Sequence, residues 1–87
     1  MAVVWIPSLL RDLTQGQARV EARGETVGQL VEDLDKHYPG IAARLCPEGK
    51  LRPGLSVGVD GAVSRRQLRQ RVSPASEVMF LPAISGG

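Results

Sequence analysis

Aromatic residues are nearly absent from this chain: Trp5, Tyr38 and Phe80 are the only three, so the core must be built from aliphatic side chains. A single cysteine, Cys46, excludes an internal disulfide, and no oxidising compartment is implied. The one histidine, His37, has no second ligand beside it and points to no metal site. No apolar run approaches the roughly 20 residues that span a bilayer. The start, MAVVWIPSLL, lacks the basic segment and small-residue cleavage site of a secretory leader, so the expected location is the cytoplasm, with no membrane partner. Neither sign of charge prevails: eleven Lys or Arg stand against nine Asp or Glu, a net charge of +2, too balanced to indicate a nucleic-acid partner. At 87 residues the chain is long enough for one modest core and too short for two.

What is present reads as alternating short elements. AVVWI, residues 2–6, is β-branched and aromatic and stops at Pro7, which predicts a first strand. In ARVEAR, residues 18–23, Ala18, Val20 and Ala22 alternate with charged residues, which predicts a half-buried strand paired with the first as a hairpin. The period then changes. Thr26 followed by Gln29 reads as a capping box, and Val27, Leu30, Val31, Leu34 and Tyr38 fall on one helical face. Glu32, Asp33, Asp35 and Lys36 fall off it, so the carboxylates are expected on an exposed face and not as an acid–base pair. Pro39-Gly40 ends this helix, and residues 41–45 allow one further turn. Two prolines and two glycines make residues 47–54 a loop. LSVGVD is a strand with Leu55, Val57 and Val59 inward, closed by the tight-turn signal Asp60-Gly61. Residues 64–76 are polar and leave a short edge strand or a turn open, and EVMFLP, residues 77–82, is the last strand.

A hairpin, one crossing helix and then further strands fit an α+β arrangement. One helix covers one face of a mixed four- or five-stranded sheet, and the other face is left to solvent. The crossover lays a later strand beside the first, which is the β-grasp layout. Residues 1–82 are expected to form this single domain, with residues 83–87 as a flexible tail. In that layout the final strand is central, so its tail projects from the middle of the sheet edge.

The tail is the sharpest feature. LPAISGG ends on Gly86-Gly87, two residues that cannot pack or support a strand, and glycine is costly to order. One reading is a frayed end. The other is that the Gly87 carboxylate is the working group and the glycines let it enter a narrow channel. With VVWIP at the start, TVGQLVEDLDKHYPGI in the middle and VMFLPAISGG at the end, the chain resembles the ubiquitin-like sulfur-carrier proteins of the MoaD, ThiS and CysO types. The IPSLLR segment, the Tyr-Pro-Gly-Ile turn and the Leu-Pro-Ala run into Gly-Gly make it most similar to the CysO and MoaD-like members. The segment RRQLRQRVSPASEV departs from the acidic or glycine-rich turn that such proteins often place before the last strand.

That resemblance implies a carrier and not an enzyme. An adenylating partner would convert the Gly87 carboxylate to an acyl adenylate at the expense of ATP and its magnesium. A sulfur donor would then displace AMP and leave a thiocarboxylate for a sulfur-accepting biosynthetic enzyme. Ala83, Ile84, Ser85 and Gly86 would enter the partner's active site, no cofactor would reside on this chain, and the free protein would be a monomer. A cysteine-assembling acceptor is the first choice among several that use the same tail.

Strand alternation adds a candidate docking patch. If Val78 and Phe80 face the helix, Met79 and Leu81 lie on the open face, and Trp5 joins them because the first and last strands are neighbours. Arg65, Arg66, Arg69 and Arg71 form a basic cluster, read as a solvated face or as docking to an acidic surface. No aromatic residue interleaves with them to stack on bases. Cys46 is expected as a small buried or half-buried hydrophobe, and His37 as a group near the helix C-terminal dipole. Two readings of other classes stay open: a modifier forming isopeptide bonds through Gly87, and a basic binding module with an inert tail.

Overall fold

The computed structural model describes residues 1–82, and of Pro82 only the backbone. The tail residues Ala83, Ile84, Ser85, Gly86 and Gly87 lie outside the described residues. Five strands, β1 Ala2–Trp5, β2 Arg19–Ala22, β3 Leu55–Val59, β4 Ala62–Ser64 and β5 Glu77–Pro82, form one sheet in the order β2-β1-β5-β3-β4. β1 is antiparallel to β2 and parallel to β5, and β5 is antiparallel to β3, so the last strand is central. The β-grasp expectation is met, with five strands.

Helix α1, Val27–His37, covers one face, and a short helix α2, Ile41–Leu45, follows it. The aliphatic stripe Val27, Leu30, Val31 and Leu34 is buried against Val4, Ile6, Val20, Val57, Val78 and Phe80, a core that contains one aromatic ring. The residues expected inward are therefore inward, and Tyr38 packs half-buried at the edge of the cluster.

Several local expectations are corrected. Ile6 is buried but lies beyond β1, its N–H turned to the Ala18 carbonyl at 2.8 Å. Thr26 Oγ1 does accept from the Gln29 N–H at 3.2 Å, while the Gln29 side chain reaches Glu25 N at 2.8 Å and not Thr26. The carboxylates Asp33 and Asp35 are not idle on a solvated face. Asp33 accepts from Arg23 N at 3.0 Å, tying β2 to the helix. One oxygen of Asp35 accepts from Gly40 N and Ala42 N, each at 3.1 Å, so it caps the start of α2. Glu32 alone of the three is fully exposed. The edge strand begins earlier than residue 64, because Asp60 and Gly61, at φ 52° and 88°, make a two-residue turn that leads directly into β4. The polar stretch after it is a 3-10 turn at Gln67–Arg69, which packs on the helix at Gly28.

Candidate functional site

Alternation along β5 sends Val78 and Phe80 to the core and Met79 outward, 41% exposed, with Leu81 half-buried on the same open face. The pairing then assembles a row across the sheet: Arg19 opposite Trp5, Trp5 beside Met79, Met79 opposite Gly58, and Gly58 opposite Val63. Trp5 and Met79 are thus brought together as the alternation predicts, and Leu81 joins one step nearer the tail, opposite Ser56. Trp5 is half-buried because neighbours stand on both sides of it, and its indole is fixed by Nε1 donating to Glu77 Oε1 at 2.9 Å. Gly58 leaves a shallow place in the row. A Cβ built there would stand 3.7 Å from Leu81 Cδ1, so the leucine leans over the glycine and not fully into solvent.

Four contributors to this face are not visible from the sequence. Val63 is 65% exposed on β4 and extends the apolar row to the sheet edge. On the side of the row away from the tail, Glu21 faces Val3, Val3 lies beside Glu77, and Asp60 Oδ1 accepts from Glu77 N at 2.8 Å. The face is therefore graded, with carboxylates at the far end and apolar side chains between them and the tail. Only strand order reveals this, since Glu21, Asp60 and Glu77 are far apart in sequence.

Pro82 pairs with Leu55 of β3 as the last described residue of β5. β1 ends, and β2 and β3 begin, at this same end of the sheet.

The other sequence candidates lie elsewhere. Arg65, Arg66, Arg69 and Arg71 are all exposed. Arg71 forms an ion pair with Glu25 at 3.5 Å and bridges Thr26 at the start of α1, at the end of β5 opposite Pro82. Cys46 is half-buried, and loss of hydration pushes its thiol up from the ordinary range. His37 Nδ1 lies 3.0 Å from the Asp33 carbonyl oxygen in the last turn of α1, as its place near the helix end predicts. Among the described residues no group of three His, Cys, Asp or Glu is placed to hold a metal, and no helix is long and apolar enough to cross a membrane.

The model of the ThiS family matches residues 4–87. The chain belongs to that family. It is 36% identical over 89 aligned positions to the sulfur carrier protein CysO of Mycobacterium tuberculosis, covering 97% of this chain and 96% of the relative. The fold agrees with CysO in a crystal structure of the Amycolatopsis orientalis BexX/CysO complex, at 36% identity, full coverage of both chains and a TM-score of 0.88. The crystal structure of Mycobacterium tuberculosis CysO, described as an antigen, gives the same TM-score at 35% identity, over 97% of this chain and 100% of that one.

Proposed function

We propose that this ThiS-family protein is a sulfur carrier whose Gly87 is the covalent site. The observation that carries the reading is the position of β5. A central strand, held on both sides, reaches Pro82, three residues before Gly86-Gly87, in a chain similar to CysO along nearly its whole length.

The chemistry requires activation because a carboxylate would have to expel oxide. An oxygen of the Gly87 carboxylate attacks the α-phosphorus of ATP in the partner's active site. Pyrophosphate leaves, and the acyl carbon is bonded to AMP. Hydrosulfide supplied by the sulfur donor adds to that carbon, AMP leaves, and Gly87 carries a thiocarboxylate once the proton is lost. Its sulfur is a soft nucleophile that reaches an electrophilic acceptor without free sulfide being released. Magnesium and ATP belong to the activating enzyme. The chain itself is co-substrate, and Ala83, Ile84, Ser85 and Gly86 are the residues that thread the channel. Glycine at 86 keeps the clearance to that of bare backbone.

Trp5, Met79 and Leu81 dock the activating and accepting enzymes in turn, with the tail reaching past them. Assembly of cysteine is the favoured destination of the sulfur, on the likeness to CysO. Molybdopterin, thiamin thiazole, a thiolated tRNA or a sulfur-containing secondary metabolite would use the same tail.

The test is the intact mass of the protein from its own cells, isolated mildly without added thiol. A fraction heavier by the difference between sulfur and oxygen, located in the C-terminal peptide, is expected. If ATP, the adenylating enzyme of the same cells and a sulfur donor yield neither adenylate nor thiocarboxylate at Gly87, the carrier reading is wrong. Conjugates of higher mass that vanish on deletion of Gly87 would instead indicate a protein modifier.

A further inference from the structure

On the helix side of the sheet, at the Pro82 end of β5, lies a groove of roughly 480 Å³. Leu10 and Phe80 line it as nearly buried side chains, and Leu9 and Leu55 as more accessible ones, Leu9 being 82% exposed. Arg44 and Arg52 also line it, both exposed, and no carboxylate does. Arg44 is held by Nη2 donating to the Leu9 carbonyl at 3.2 Å, which fixes the guanidinium beside the exposed leucine. The groove reaches the last described residue of β5, since Leu55 in its lining is the strand partner of Pro82.

We infer that this groove receives an acidic, apolar-tipped segment of the activating enzyme. The inference rests on the carrier reading above. Its first support is reach. Five residues separate Pro82 from the Gly87 carboxylate, at most about 17 Å of extended chain. An enzyme that holds Gly87 in its active site must therefore close over the surface from which the tail emerges, and the groove opens on that surface. The second support is charge. Two arginines flank an apolar floor without an acidic neighbour in the lining, so carboxylates of the partner meet them while an apolar side chain sits against Leu9 and Phe80. The third is direction. On the open face Glu21, Asp60 and Glu77 stand at the far end, so an acidic segment lying across that face is favoured toward the Pro82 end.

The experiment is ATP–pyrophosphate exchange by the adenylating enzyme of the same cells with the full chain as substrate. The double variant Arg44→Glu, Arg52→Glu is compared with wild type and with Arg23→Glu, Lys36→Glu, both exposed and outside the groove, as a control for net charge. A hydrogen bond to a charged group contributes about 1.5–3 kcal/mol, so KM for the carrier should rise at least about tenfold, with kcat little changed. The penalty should shrink as salt is raised, and the control pair should behave as wild type. Circular dichroism verifies that the double variant is folded, and the single Arg52→Gln repeats the test without charge reversal. Unchanged KM in folded variants, or an equal loss in the control pair, overturns the inference while wild-type exchange keeps the carrier reading. Absence of exchange with wild type overturns both.

Discussion

Met79 and Phe80 are adjacent in sequence and face opposite sides of a central strand, which makes them the most direct probe of the site. Phe80 is 6% exposed in an aliphatic core where it is the one aromatic ring, and Met79 is 41% exposed beside Trp5. Replacing Phe80 by alanine removes a ring from a close-packed interior and should cost about 3–5 kcal/mol. A chain of 87 residues has on the order of 4–13 kcal/mol of total stability, so Phe80→Ala should remove between about a quarter and all of it. Met79→Ala removes side chain that already meets water, and its cost should stay below about 1 kcal/mol. Urea melts followed by circular dichroism separate these outcomes, because a loss of 1 kcal/mol moves the midpoint by about 0.3–1 M in a small protein. The same Met79→Ala protein should show a KM for adenylation raised about fivefold or more, the level expected of a contact at the centre of an interface. Comparable destabilisation by both variants would mean that the strand faces are exchanged. A stable Met79→Ala protein with unaltered KM would mean that the enzyme docks elsewhere.

Other perturbations test the remaining assignments. Deleting Gly87 should abolish thiocarboxylate formation while leaving the urea midpoint within error of wild type. Gly24→Ala should be destabilising, because its Cβ would stand 2.7 Å from Gln29 Cβ, closer than real Cβ atoms approach, and a tight 3.0 Å from the Leu30 nitrogen; the midpoint of a thermal melt checks it. Thr26→Ala removes the oxygen that accepts from Gln29 N and should cost about 1 kcal/mol, whereas Thr26→Ser should keep most of it. Burial raises the Cys46 thiol, so less thiolate is present at a given pH than for a free cysteine. Its alkylation by iodoacetamide at pH 8 should be slower than that of a free thiol and should accelerate only at higher pH.

The parts of this molecule that the sequence discloses are those governed by near neighbours. The helix stripe from Val27 to Leu34, the turn at Asp60-Gly61 and the alternation of Val78 and Phe80 each follow from a local period or a local φ requirement. Trp5 and Met79 are separated by most of the chain, yet their meeting was also legible, because a single crossover from a hairpin leaves few places for the last strand. What local pattern does not give is lateral register. The acidic end of the open face is made by Glu21, Glu77 and Asp60 from β2, β5 and the turn after β3, and no spacing announces it. The same holds for Asp35, whose exposed-looking position on the helix conceals a cap for the next one. Arg65, Arg66, Arg69 and Arg71 stand out by lying within seven residues, whereas Arg44 and Arg52 are made neighbours of one groove by a loop that turns back on α2.

Under the proposed function, the sheet order would let a protein this small present its own terminus to another enzyme without unravelling. Were β5 an edge strand, a partner pulling on the tail would oppose one ladder of hydrogen bonds. As the central strand it is bonded to β1 through Met79 and to β3 from Val78 to Pro82, with Val78 and Phe80 locked in the core. Withdrawing it would split the sheet and empty the core together, at a cost comparable to unfolding the whole domain.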